Sequence, residues 1–255
     1  MSSDVLRLQS ASLAAAGVAH GFFGRTGGVS TGLYASLNGA PASRDDPAAI
    51  RENRDRVSAA FGAAPLVTLQ QYHSAVTVTV TKPWSIEDSP RGDALVTNQP
   101  GLLIGLNTAD CAPVLLADPV AKIVGAAHAG WKGAVAGVCE SVIAAMEALG
   151  ASRANIRAAI GPCISQPSYE VGPDFRAGFP AAASVFFKPA LRAGYFFFDL
   201  ESYVADRLAQ AGIGAIDTLG ACTLANPDKF FSFRRATLAA EPDYGRELSV
   251  IMLVS

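Results

Sequence analysis

Three short apolar runs in the middle of the chain, Leu102–Leu106, Val114–Leu116 and Lys122–Ala127, constrain its fold more than any other feature. A strand with one wet face alternates apolar and polar residues, whereas a near-continuous apolar run belongs to a strand covered on both faces. These runs therefore predict a central sheet sandwiched between other layers. Val76, Val78 and Val80 alternate with threonine and read as a half-buried strand. Ile156–Ile160 reads as another, and Ser249–Val254 as a closing strand tied into the sheet. With 50 % hydrophobic and only 16 % charged residues in 255, the chain has the apolar material such a core needs, and intrinsic disorder is excluded.

Helix signals sit between these strands. Asp46 is placed as an N-cap with Pro47 at the first helical position, and Ile50, Val57 and Phe61 form a stripe ending before Gly62, which predicts a helix from about Asp46 to Phe61. Val135, Val138, Val142, Met146 and Leu149 recur at three- and four-residue spacing, so Lys132–Leu149 is read as one core-facing helix stopped by Gly150. Asp199 is placed to cap a helix bearing Tyr203, Val204 and Leu208 before Gly212. No long linker or low-complexity tract divides the chain. The expectation is an α/β (α+β) architecture, mixed β-sheets flanked by helices in one compact domain over residues 1–255.

The formal net charge of −2 carries no basic excess to hold a polyanion, which argues against nucleic acid as a partner. No uninterrupted apolar run approaches the roughly 18 residues of a bilayer-spanning helix, so no membrane partner is expected. Met1–His20 holds an Ala-rich patch at Leu13–Ala16 but no basic segment ahead of a continuous apolar stretch, which is weak support for a signal peptide. Cys111, Cys139, Cys163 and Cys222 form no CxxC pair and read as reduced thiols of a cytoplasmic protein. The oligomeric state is left open.

Three residues at strand edges carry the chemical interest: His73 in Gln71-Tyr72-His73-Ser74, Cys111 in Thr108-Ala109-Asp110-Cys111, and His128 in His128-Ala129-Gly130-Trp131-Lys132-Gly133. Two imidazoles and a thiolate are the donor set of a catalytic zinc site that keeps one tetrahedral position open. The same Cys111 and His128 also suit a thiolate nucleophile with its base, Asp110 or Asn107 orienting the imidazole. A sulfur bound to zinc cannot attack a carbonyl, so the two readings exclude each other in one state. Gly24-Arg25-Thr26-Gly27-Gly28-Val29-Ser30 has the composition of an anion-binding nest, or of a plain hairpin turn; it matches neither a P-loop nor a dinucleotide fingerprint. Lys132 and the N–H groups of Gly130–Gly133 offer a second place for a negative group, with Trp131 as a packing anchor. Phe196–Phe198 and Phe230, Phe231 and Phe233 read as aromatic core, and Arg234 and Arg235 as surface charges.

With these residues in place, the chain resembles the YfiH-type laccase-domain family, also described as multicopper polyphenol oxidoreductases, purine nucleoside phosphorylases or peptidoglycan editing factors. The resemblance rests on His20-Gly21-Phe22-Phe23-Gly24-Arg25-Thr26-Gly27-Gly28-Val29-Ser30, Ala35-Ser36-Leu37-Asn38, Gln71-Tyr72-His73, Gly92-Asp93-Ala94-Leu95-Val96-Thr97, Thr108-Ala109-Asp110-Cys111-Ala112-Pro113, His128-Ala129-Gly130-Trp131-Lys132-Gly133, Gly161-Pro162-Cys163-Ile164 and Phe230-Phe231-Ser232-Phe233-Arg234-Arg235. It implies zinc, with copper as the alternative, on His73, Cys111 and His128, and a fold related to cytotoxic-necrotizing-factor-like cysteine hydrolases. It further implies a purine nucleoside and phosphate as substrates, with adenosine deamination and methylthioadenosine phosphorolysis as companion activities. On that reading Asp110 joins the catalytic set. Arg25, Gly27 and Gly28 contact phosphate, and Asn38, Asp93 and Lys132 orient substrate or ligands. The alternatives are a peptidoglycan-precursor editing hydrolase using the Cys–His dyad, and a metal-binding protein or polyphenol oxidase without nucleoside activity. Three histidines in the whole chain cannot furnish a multinuclear copper cluster, which argues against true laccase chemistry. Lys132 stands where the family commonly has arginine, which removes a bidentate fork for an anion.

Overall fold

The computed structural model describes residues 5–14 and 18–254; part of the Ala-rich patch read at Leu13–Ala16 lies outside them. Two mixed sheets carry the fold. One has five strands, in the spatial order Arg7–Leu8, Val18–Phe23, Glu247–Leu253, Leu103–Thr108 and Leu66–Val67. The other has six, in the order Ala215–Thr218, Arg157–Ile160, Ala112–Asp118, Ile123–Ala129, Ala94–Thr97 and Thr77–Thr79. Most pairs are antiparallel, and the parallel ones lie at the sheet edges.

The two sheets pack face to face, and the period of two sorts their side chains into layers. Leu95, Leu115, Val124 and Ala126 from the six-stranded sheet meet Phe22, Ile104, Leu106 and Ile251 from the five-stranded one. Their strand neighbours Val96, Val114, Leu116 and Ala127 point the other way, against Val142 and Met146 of helix Val138–Ala148 and Val204 and Leu208 of helix Leu200–Gln210. On the far side of the five-stranded sheet, Phe23, Leu103 and Val250 pack on Val57 of helix Pro47–Ala59. The result is a four-layer α/β/β/α stack. Both faces of the strands Leu103–Thr108, Ala112–Asp118 and Ile123–Ala129 are buried throughout, which is why their sequences read as continuous apolar runs.

Asp46 caps the first helix as its sequence position predicts, accepting from Ala48 N at 2.9 Å. Its buried face is not purely apolar. Asn53 Nδ2 donates to Ser30 Oγ, Ser36 O and Asn38 O, and Arg54 donates to Gly39 O and Thr68 Oγ1, so this helix also clamps the polar loop ahead of it. The Asp199 side chain accepts from Ser202 N, capping the helix that follows.

The helix expected over Lys132–Leu149 is two helices, Trp131–Ala136 and Val138–Ala148. Gly137, at φ +93°, adopts the left-handed conformation that ends an α-helix, and only glycine takes it without a Cβ penalty. The apolar spacing runs on across the break, so periodicity alone could not register it. All four cysteines are free thiols. Among the described residues no helix is long and apolar enough to cross a membrane.

Candidate metal centre

The chain crosses from one sheet to the other through Ala109, Asp110 and Cys111, between strands Leu103–Thr108 and Ala112–Asp118. Asp110 turns that corner at φ +79°, and its carboxylate fixes the turn by accepting from Thr223 Oγ1, Ser232 Oγ and Arg234 N. Cys111 is thereby delivered to the sheet edge. His128 lies on the neighbouring strand, opposite Pro113, and Asp93, just before strand Ala94–Thr97, lies on its other side, where its carbonyl accepts from His128 N at 2.7 Å. His73 comes from the loop Gln70–Ser74, with φ +64°.

Sheet register brings the three predicted ligands together. The donor atoms of His73, Cys111 and His128 all lie within 4.8 Å of one another. His73 Nε2 stands 3.7 Å from Cys111 Sγ. Tetrahedral zinc bonded at typical N and S distances separates its ligand atoms by about 3.3–3.6 Å, so a small inward shift of the wider pairs completes the site. His128 Nδ1 donates to Asp93 Oδ1 at 2.8 Å, which leaves Nε2 as the atom that could hold a metal. A carboxylate behind a ligating imidazole is a common arrangement in metal sites because it fixes tautomer and orientation. Asp93 Oδ1 also accepts from His73 N, while Oδ2 accepts from Tyr72 N, Ser74 N and Ser74 Oγ, so one buried carboxylate orients both histidines.

The electrostatics follow from this packing. Burial opposes ionisation of the Cys111 thiol, but His128 and His73 beside it overcome that and bring it down to about 6. Burial likewise opposes charge on His128, and the Cys111 sulfur and Asp93 overcome it and raise the imidazole to about 9. Burial would raise Asp93, yet the donors from His128 and Ser74 hold it well below the ordinary carboxylate range. His20 is a structural histidine: burial and nearby Arg7 lower it to about 4, and Nε2 accepts from Ser10 N.

Gly130 backs the trio. A Cβ built there would stand 2.7 Å from His73 Cδ2 and 2.8 Å from Cys111 Sγ, so a side chain would press on two of the three candidate ligands. Gly130→Ala is expected to lower metal affinity by about tenfold or more with only a small change in stability. Competitive chelator titration measures the first and urea unfolding the second.

Two cavities flank the centre and share His73, Ala109 and Cys111 as a common wall. The larger, about 500 Å³, also exposes His128, Asn107, Tyr244 and Arg246. The smaller, about 150 Å³, is closed by Trp131, Tyr169, Phe233 and Arg234. Gln71 pins the His73 loop to the sheet through paired bonds with the Asn107 backbone, each 2.8 Å. Asn107 Oδ1 is buried and has no hydrogen-bond partner among the described residues. Sequence reasoning gave Arg246, Tyr244 and Tyr169 no role, and nothing in their local sequence marks them. Arg234, expected as a surface charge, instead lines the smaller cavity because helix Phe233–Leu238 starts there.

Other expected site residues stand elsewhere. Arg25 donates to Ala35 O and Pro227 O and lies over Phe231, lining neither cavity. Gly28 N donates to Ser36 Oγ and Val29 N to Asn53 Oδ1, so donors of the Gly27–Gly28 turn are spent inside the fold. The structure does not bring this turn to the trio. Asn38 is buried under a loop, donating to Ser43 Oγ and Asp45 Oδ2 and accepting from Arg246 N and Ala40 N; it supports the cavity through the backbone of Arg246 and Ala40 and does not line it. Lys132 is exposed beside the Trp131 ring, and Trp131 stacks on Phe179 and packs at a tilt on Phe175 as an anchor. The carboxylate that orients His128 is Asp93, whereas Asp110 is occupied by the corner it turns.

A family model described as multi-copper polyphenol oxidoreductase laccase matches residues 19–254. A protein of Deinococcus radiodurans named purine nucleoside phosphorylase is 43 % identical over 220 residues, covering 86 % of this chain and 84 % of that one. The Escherichia coli purine nucleoside phosphorylase YfiH is 35 % identical over 234 residues, 90 % of this chain and 91 % of its own. Among solved structures, a Neisseria meningitidis protein superposes with TM-score 0.88 at 34 % identity, covering 98 % of this chain and 99 % of its own. YlmD from Geobacillus stearothermophilus superposes with TM-score 0.87 at 28 % identity, over 98 % and 96 %. Agreement along nearly the whole chain, in both sequence and fold, makes this protein a member of the YfiH-type laccase-domain family.

Proposed function

We propose that the protein is a zinc-dependent purine nucleoside phosphorylase that also deaminates adenosine and cleaves methylthioadenosine. The observation that carries this reading is the trio His73, Cys111 and His128 opening onto a cavity of about 500 Å³, within the range that holds small-molecule substrates. The names of the relatives agree with the purine nucleoside phosphorylase part of it.

Zinc held by His73, Cys111 and His128 would supply Lewis-acid polarisation and activate water near neutral pH. The chain's own groups do the rest. Asp93 holds His128 and the His73 loop in place through its five acceptor contacts. The unpartnered Asn107 Oδ1 offers an acceptor to a hydroxyl or amino group of a bound nucleoside. Arg246 brings a cation to the same cavity. In phosphorolysis the C1′–N9 bond breaks, its electron pair leaves on the base, which takes up a proton, and a phosphate oxygen bonds to C1′. In deamination a water oxygen bonds to C6 and ammonia leaves.

The test is incubation of metal-analysed protein with adenosine, with and without phosphate. Free adenine and ribose 1-phosphate are expected only with phosphate, and inosine in both cases. Absence of all of these products with stoichiometric zinc present would exclude the reading.

A second reading has one specific observation behind it. Without metal, Cys111, His128 and Asp93 have the arrangement of a nucleophile, its base and the carboxylate that orients the base, with the thiol drawn down to about 6. That arrangement suits a cysteine hydrolase, for which the family resemblance implies a peptidoglycan precursor as substrate. It predicts rapid alkylation of Cys111 by iodoacetamide in the active form, whereas a metal-held sulfur resists alkylation.

A further inference from the structure

We propose that the smaller cavity, walled by Arg234, Tyr169 and Trp131 behind the His73–Cys111 pair, is a binding site for inorganic phosphate. This rests on the phosphorylase reading for its purpose, since phosphorolysis needs a second substrate beside the nucleoside.

Its volume of about 150 Å³ is below the range of cavities that take a nucleoside, while the larger cavity is within it. Its polar lining is rich in donors. Arg234 gives one N–H, from Nη1, to Glu170 O at 2.8 Å, and its remaining guanidinium N–H groups have no protein acceptor among the described residues. Tyr169 and Trp131 line the same space, and among the described residues the Tyr169 hydroxyl and the Trp131 indole N–H have no protein acceptor. The one carboxylate in the wall, Asp110, already accepts from Thr223 Oγ1, Ser232 Oγ and Arg234 N. The unspent guanidinium donors of Arg234 face this small space, and an arginine fork matches the oxygens of phosphate.

The placement suits the reaction. His73, Ala109 and Cys111 line both cavities, so an anion beside Arg234 and a nucleoside in the larger space both lie against the same centre. Arg234 is anchored for this task by its backbone N–H on Asp110 and by its guanidinium over the Tyr169 ring at 5.3 Å. The Gly24–Ser30 turn, whose composition first suggests an anion nest, has donors committed to Ser36 and Asn53 and lies away from both cavities.

The experiment is calorimetric titration of inorganic phosphate into zinc-loaded wild type and three variants, with KM for phosphate and for the nucleoside measured on the same preparations. Arg234→Gln is expected to weaken phosphate binding by about 30-fold, and Tyr169→Phe, which removes only a hydroxyl, by about fivefold. Arg246→Gln, in the larger cavity, should leave phosphate binding within about twofold. KM for phosphate should follow the titrations while KM for the nucleoside stays unchanged in Arg234→Gln and Tyr169→Phe. Undiminished phosphate affinity in both of those variants, or a loss confined to Arg246→Gln, overturns the proposal. If wild type binds phosphate through Arg234 and Tyr169 yet cleaves no nucleoside, the phosphorylase reading fails and this site stands.

Discussion

Cys111→Ala is expected to strip the metal from the protein and to reduce turnover by on the order of 10³-fold or more. Cys111 supplies the only thiolate of the trio, and its loss leaves two imidazoles that cannot hold a divalent ion with comparable strength. His73→Ala should behave alike, because its Nε2 lies 3.7 Å from the sulfur and closes the same side of the site. Elemental analysis after gel filtration is the direct measurement: about one zinc per chain in wild type and less than about a tenth in either variant. Neither side chain belongs to the interior of the sheets, so urea midpoints of the metal-free proteins should stay close to that of metal-free wild type. An unchanged metal content in both variants would remove the basis of the proposed function.

Asp93→Asn should produce the largest loss of stability of any single isosteric change at the site, about 3–5 kcal/mol. The carboxylate accepts five hydrogen bonds, from three consecutive backbone N–H groups, a hydroxyl and an imidazole, divided between its two oxygens. An amide keeps one oxygen and turns its NH₂ toward donors, leaving buried N–H groups unpaired on one side. Metal affinity should fall in step, by about 10–100-fold, since both histidines lose their common support. The pH dependence carries the same signature. Asp93 titrates below its unfolded value, so the unfolded chain binds the extra proton, and the stability Asp93 confers is complete above the ordinary carboxylate range and lost as pH falls. His20, lowered from 6.5 to about 4, erodes stability in the same direction between those values. Asp93→Asn should therefore flatten the acid limb of the stability profile below about pH 4 while leaving the part due to His20. Urea unfolding across pH 3–7 checks this, and an acid limb identical to wild type would contradict the role given to Asp93.

The legible and the illegible parts of this protein differ in kind. The strands around Leu103–Thr108, Ala112–Asp118 and Ile123–Ala129 could be read because burial on both faces leaves a local record in consecutive apolar residues. The caps at Asp46 and Asp199 could be read because a side chain meets a backbone group only two or three residues away. The break at Gly137 escaped because the apolar spacing continues across a backbone dihedral that no periodicity records. The Gly24–Ser30 turn was ambiguous from composition, since glycine and hydroxyl residues look the same whether their donors meet an anion or, as here, Ser36 and Asn53. Asp110 drew attention through its place beside Cys111, but the side chain next to Cys111 in sequence was engaged at the sheet-to-sheet corner.

From residue order alone came the buried mixed-sheet character and the short list of side chains able to bind a metal, because alternation, capping and donor chemistry are properties of neighbours along the chain. Tertiary structure alone decided that Asp93 supports His128 and His73, that Arg234 and Arg246 stand in separate cavities, and that Arg25 is outside both. Those relations join residues 20 to more than 100 positions apart through strand register and a crossing between sheets, and register is set by the packing of whole faces rather than by any segment that carries the side chains.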